Sequence, residues 1–321
     1  MSSSFRSSAS SSSAPFRPRP AARRLRAAAI LTAVAALVPA TAAFATTPSS
    51  ALSSAPSSAA GSSGSPATSP TGPVDTLASA KVKPTIVLVH GAWADASSFA
   101  PVTARLQHDG YTVLNAPNPL RGLAADAASV SAFVNQATTG PVVLVGHSYG
   151  GAVITNAATS TPRVKALAYI DAYAPDAGES IAQLSAAKPG SVFAVADPST
   201  VFDAVQDPNL PQGDPDLYVK RDLFAHAFAA HLPATRTRQL AASQSPVAGG
   251  ALQEPSGQPA WKHLPSVFFI GSNDQVIPAA EQKAMAERAH ASIVTAKADH
   301  LSMLEKPAEV TATIERAAAA R

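Results

Sequence analysis

The sequence predicts an α/β fold, a mostly parallel sheet flanked by helices with a helical cap over one end, and three observations carry that expectation. Short apolar, β-branched runs alternate with helix-length stretches from residue 85 to the C-terminus, as in strands buried on both faces by crossover helices. One run, Val142-Val143-Leu144-Val145, passes directly into Gly146-His147-Ser148-Tyr149-Gly150-Gly151 and then into a helical pattern of Ala152, Val153, Ile154, Ala157 and Ala158. Between residues 172 and 265 the alternation stops, and a connection that long is seldom mere loop.

In chain order, residues 1–45 hold six arginines and no acid. A basic stretch at 17–26, an apolar run at 27–38 and Ala43-Phe44-Ala45 ahead of Thr46 are the three parts of a secretory signal peptide. The apolar run falls short of the about 20 residues of a spanning helix. The expectation is a cleaved leader and a secreted or extracytoplasmic protein without stable membrane insertion, an uncleaved anchor being the alternative. Residues 46–80 are almost entirely Ser, Ala, Thr, Pro and Gly, with Asp75 the one charge, and read as a disordered spacer that cannot bury enough surface to order itself. Residues 81–321 form the folded domain. Beyond the leader acids outnumber bases, so the net charge of +3 gives no support to a nucleic-acid partner. The chain has no cysteine, which removes disulfides, thiolate metal sites and a cysteine nucleophile together.

Residues 85–89 read as a buried strand ending in His90-Gly91-Ala92-Trp93, and Phe99, Val102 and Leu106 fall on one face of the helix after it. A strand at 111–114, an Asn- and Pro-rich loop and a helix at 123–136 lead to the Gly-x-Ser-x-Gly stretch. Strands follow at 166–170, ending at Asp171, and at 267–270, ending at Gly271. A helix after Pro278, a strand at 292–296 and a helix after Pro307 complete the domain, proline suiting the first helical turn. The excursion at 172–265 predicts helices at 217–231 and 235–243, and reads as a cap over the C-terminal edge of the sheet, where open α/β folds bind ligands.

The chemistry converges on Ser148. A serine on a sharp strand-to-helix turn stands clear of both elements, and the new helix aims free N–H groups at whatever reacts there. A hydroxyl is a poor nucleophile until a base takes its proton, and the base needs a carboxylate to fix its tautomer. Of eight histidines, His300 is the candidate base, because it follows the last strand in a short loop. His108, His226, His231 and His290 fall on helical patterns; His147 must point away from the turn, and His90 supports the Gly91-Ala92 turn. Asp274, just past the strand at 267–270, is favoured as the acid over Asp171, since its loop and that of His300 end neighbouring units. Asp299 is too close in sequence to turn behind His300 and is expected to be solvated or capping. Backbone N–H groups of Tyr149 and Ala92 are the candidate oxyanion donors. No metal or organic cofactor is expected.

From about Pro84 to the C-terminus the chain resembles the α/β-hydrolase superfamily, with His90-Gly91-Ala92-Trp93, Gly146-His147-Ser148-Tyr149-Gly150-Gly151, Asp274 and Asp299-His300 in the expected order. It looks most like the branch of plant methylesterases and hydroxynitrile lyases and their bacterial esterase relatives. That resemblance implies an acid at Asp274, oxyanion donors at Ala92 and Tyr149, and a small-molecule ester substrate. Lyases of the branch typically carry threonine after the first histidine and lysine after the second; Gly91 and Leu301 stand there instead and favour ester hydrolysis. The expectation is a secreted serine hydrolase forming an acyl-enzyme on Ser148. The alternatives are a cofactor-free perhydrolase or lyase on the same site, and a small-ligand-binding module that has kept the fold.

Overall fold

The computed structural model describes residues 82–320; the expected leader and spacer lie outside the described residues. From the N-terminal side, β1 (Thr85–Val89) leads through a 3-10 turn at Ala96–Phe99 into α1 (Ala100–His108), and β2 (Val113–Asn115) is followed by α2 (Leu123–Ala137). Then come β3 (Val142–His147), α3 (Tyr149–Ala157), β4 (Val164–Ile170) and α4 (Ile181–Ala187). The cap continues with β5 (Phe202–Val205), β6 (Asp216–Val219), α5 (Arg221–Phe228), α6 (Ala234–Ala242), β7 (Val247–Ala248) and α7 (Gly249–Gln253). The chain returns as β8 (Ser266–Gly271), α8 (Ala279–Arg288), β9 (Ser292–Ala296), α9 (Ser302–Glu305) and α10 (Pro307–Ala319).

Six strands form one parallel sheet in the order β2-β1-β3-β4-β8-β9. The central strands β3 and β8 are buried at every position, which is why their sequences run apolar without alternation. Full burial of each such Val, Leu or Ile contributes about 1.5–3 kcal/mol. The order reverses at β1: the chain steps outward to β2, then back to β3 on the other side. Such a switch point opens a crevice at the strands' carboxyl ends, here between the loop after β1 and the turn after β3.

Two expectations are corrected. The second strand begins at Val113 rather than 111, because the Tyr111 N–H is spent on the Leu106 carbonyl, closing the end of α1. Within the cap, the helix expected at 217–231 is divided. Residues Asp216–Val219 form β6, which pairs antiparallel with β5 and with β7, so the cap carries a three-stranded sheet as well as helices. The alternation Asp216-Leu217-Tyr218-Val219 suits a ladder, buried at both ends and half-buried between. Helix α5 starts only after Lys220 and ends at Phe228, and Pro233 opens α6. Among the described residues no helix is long and apolar enough to cross a membrane.

Candidate active site

Ser148 is the link between β3 and α3, with φ 52° and ψ −125°. A non-glycine residue there stores about 1–3 kcal/mol of strain and persists only when its surroundings over-determine it. They do: the Ser148 N–H donates to the Ile170 carbonyl at 3.3 Å, and the Ser148 carbonyl accepts from Gly151 at 2.9 Å and Tyr173 at 3.2 Å. The turn also packs against β1 so closely that a Cβ on Gly150 would lie 2.4 Å from the Val89 carbonyl oxygen. Only glycine fits.

His300, in the loop between β9 and α9, brings its Nε2 to 2.9 Å from Ser148 Oγ and its Nδ1 to 2.8 Å from Asp274 Oδ2. All three side chains are buried. Asp274 lies in the turn after β8, where its Oδ1 accepts from the backbone N–H groups of Val276 (2.8 Å) and Ile277 (2.9 Å), while Oδ2 also accepts from Gln282 Nε2 at 2.8 Å. Burial pushes this carboxyl well above the usual range, and the Ile277, Val276 and Gln282 donors pull it back. With His300 that makes four donors on two oxygens, which leaves no lone pair for a proton of its own. The geometry therefore fits the carboxylate. It also fixes the ring's tautomer, since Nδ1–H must donate to Asp274 and Nε2 is left to accept from the Ser148 hydroxyl.

Burial pushes the His300 imidazole down to about 3, and the neighbouring Asp274 carboxylate acts in the other direction. Only the neutral ring can accept a proton, so a lowered value extends the competent form to more acid pH. For a reaction in which His300 takes the Ser148 proton, the acid limb of kcat/KM is accordingly expected below 6.5, the ordinary imidazole value. A pH–rate profile with an apparent pKa at or above that value would contradict it.

The other predicted residues are placed as follows. Ala92 follows β1 across the crevice from Ser148, and Tyr149 opens α3, where a first-turn N–H has no partner within the helix. Both line the same cavity as Ser148. A Cβ on Gly91 would fall 2.6 Å from Ser148 Cβ, so the loop bearing Ala92 reaches the serine only because position 91 is glycine. The Tyr149 hydroxyl is anchored on buried Asp126 Oδ2 at 2.8 Å, a tie from α2 that no motif announces. The buried His147 ring lies beside that of His300, centroids 4.8 Å apart, with its Nε2 on the His300 carbonyl at 2.9 Å, and His90 holds the Gly91 carbonyl through Nδ1 at 3.0 Å.

Asp171 ends β4 at φ 44° and accepts the Gly271 N–H at 2.7 Å, a bond between strand ends rather than to any histidine. Burial, then the nearby Asp274 charge, push its carboxyl well above the usual range. The two buried acids titrate as a pair: Val276, Ile277 and Gln282 draw Asp274 back toward its charged form, as Gly271 and Ser302 draw Asp171, and the four donors counted on Asp274 favour the charge there. Asp299 is corrected: it is buried, not solvated, and its carboxylate faces His231. Sequence reasoning also missed Gln282, because its bond to Asp274 joins α8 to a turn eight residues back and leaves no spacing signature.

Above Ser148 lies a cavity of about 620 Å³ whose wall includes Trp93, Tyr173, Phe193, Phe202, Leu252 and Val276; among the described residues none that lines it is charged. The Tyr173 hydroxyl is already bonded to Ser185 Oγ at 2.7 Å, and Ser185 donates to the Ile181 carbonyl at 2.9 Å. Away from the cavity, His231, Asp299 and Glu305 hold one potential metal-ligating atom each within 4.8 Å of one another.

The sequence profile of the alpha/beta hydrolase family matches residues 86–313, from the first strand well into the last helix. The chain belongs to the alpha/beta hydrolase family. Over 110 residues it is 35% identical to a carbendazim-hydrolysing esterase of Nocardioides sp. (strain SG-4G), a stretch covering 30% of this chain and 46% of that protein. An extracellular α/β-hydrolase from a Paenibacillus species, described as sharing structural and functional homology with tobacco salicylic acid binding protein 2, superposes with a TM-score of 0.57 at 21% identity over 73% of this chain and 98% of its own. A methylesterase from Arabidopsis superposes with a TM-score of 0.58 at 18% identity, again over 73% of this chain and 98% of its own. At such identities the structural likeness is one of fold. Plant methylesterases and bacterial esterases thus stand among the hydrolase's neighbours, and the family and the relatives' names support hydrolase activity of the esterase kind.

Proposed function

We propose that this hydrolase cleaves small, uncharged carboxylic esters through an acyl-enzyme on Ser148. The observation that carries the reading is the continuous line from Ser148 Oγ through the His300 ring to Asp274, at 2.9 and 2.8 Å, opening on the cavity. In the first step Ser148 Oγ attacks the ester carbonyl while its proton passes to His300 Nε2. Asp274 stabilises the imidazolium that forms. The oxyanion is held by the N–H groups of Ala92 and Tyr149. Collapse expels the alcohol, which takes the proton from His300, and a water activated by the same ring releases the acid. A cavity of this volume suits a drug-sized ligand rather than a long acyl chain. Its uncharged wall disfavours esters that also carry a free carboxylate, because a buried charge with no partner is heavily penalised. Covalent labelling by a fluorophosphonate at Ser148 tests the reading, with the Ser148→Ala variant as the control.

Export is proposed on the leader's basic stretch, apolar run and Ala-x-Ala site. N-terminal sequencing of secreted protein is expected to read from Thr46. Residues 1–45 recovered intact in a membrane fraction would establish an anchor instead.

A further inference from the structure

The loop that carries His300 is held from the cap, by a residue pair to which the acyl-transfer steps assign no role. Asp299 is 2% exposed and receives His231 twice. The His231 backbone N–H donates to Oδ2 at 2.9 Å, and its ring Nδ1 lies 2.8 Å from Oδ1 and 2.9 Å from Oδ2. On the far side of His300, the Leu301 N–H donates to the Phe228 carbonyl at 3.1 Å. The Phe228 ring meets the imidazole edge-on, with centroids 5.1 Å apart. Both neighbours of His300 are therefore bonded to one stretch of the cap, residues 228–231, where the chain leaves α5. From the sheet side, His147 Nε2 holds the His300 carbonyl.

A carboxylate cut off from water requires donors, and for Asp299 His231 supplies them by main chain and side chain together. The contact with Ser148 is sensitive to small movements of the ring, since a misplacement of about 1 Å can lower a rate 10²-fold. We propose that Asp299 and His231 are positioning residues: the pair ties the loop of His300 to the cap, so that the imidazole is aligned between Ser148 and Asp274 when the cap is seated. This rests on the esterase reading above. The His231 side chain is 56% exposed, so shortening it opens no cavity in the core.

Steady-state kinetics of the whole protein on p-nitrophenyl butyrate, with melting temperatures alongside, test the pair. His231→Ala is expected to lower kcat about tenfold while KM stays within about twofold, the split that misalignment produces. Its melting temperature should stay within about 3 °C of the wild type, as for a surface change. His231→Asn, whose amide Nδ2 takes the place of the ring Nδ1, should restore kcat to within about threefold of the wild type. Asp299→Ala should lower kcat at least as far, and adding His231→Ala to it should change kcat by less than about twofold, because the pair is already broken. A kcat for His231→Ala within twofold of the wild type overturns the proposal. So do losses that multiply in the double variant, or a His231→Asn variant as slow as His231→Ala. If the wild type neither turns over an ester nor takes a fluorophosphonate, the esterase reading falls and this proposal with it.

Discussion

Replacing Ser148 by alanine is expected to lower kcat/KM for p-nitrophenyl acetate by at least about 10⁴, and to leave the fold unchanged. The rate loss follows from the role proposed for Oγ: without it no acyl-enzyme forms, and loss of a nucleophile that acts as a unit with its base removes several orders of magnitude together. The fold is spared because the side chain's bond is to His300 Nε2, whereas the turn is held by the Ser148 backbone through Ile170, Gly151 and Tyr173. Alanine accepts the same strained angles at little further expense. Circular dichroism and melting temperature should match the wild type, and fluorophosphonate should label the wild type alone. A variant that keeps more than about 1% of wild-type turnover, well above the residual rate of triad knockouts, would remove Ser148 from the mechanism.

What the sequence made legible was local or set by period. The run before Gly146 could only be a central strand, and a serine between two glycines at its end could only be a turn, so the position of Ser148 followed from a dozen neighbouring residues. His300 was legible because a short loop after a last strand leaves a histidine little choice of direction. The contacts that tune the site join segments far apart in the chain. Asp299 sits beside His300 in sequence, yet its partner His231 comes from the cap, 68 residues earlier. Gln282 and Asp126 are likewise ordinary polar residues on helical patterns until the fold sets them against Asp274 and Tyr149. The divided cap helix has the same origin: Leu217 and Tyr218 become strand because β5 and β7 offer them ladders, which no short window of sequence contains.

The two buried acids at neighbouring strand ends separate by the same reasoning, and Asp274→Asn is expected to lower kcat/KM at pH 7 by about 10⁴, as the corresponding change does in a serine protease. Oδ1 can keep its bonds to Val276 and Ile277, so the substituted amide places its NH₂ where Oδ2 now accepts from His300 Nδ1. Two N–H groups cannot face each other there. The ring is driven to the other tautomer, with the proton on Nε2, and can no longer accept from the Ser148 hydroxyl. Asp171→Asn differs in kind. Burial and the Asp274 charge both push the wild-type carboxyl up, toward its neutral form, and the amide is an uncharged group of the same shape. It keeps an oxygen for the Gly271 N–H, and asparagine tolerates the φ of 44°. A loss of about tenfold or less is expected, the size of one hydrogen bond. Measuring kcat/KM for both variants beside the wild type decides the assignment: should Asp171→Asn prove the more damaging, the carboxylate that supports His300 belongs to the end of β4, and the charge assigned to Asp274 is misplaced with it.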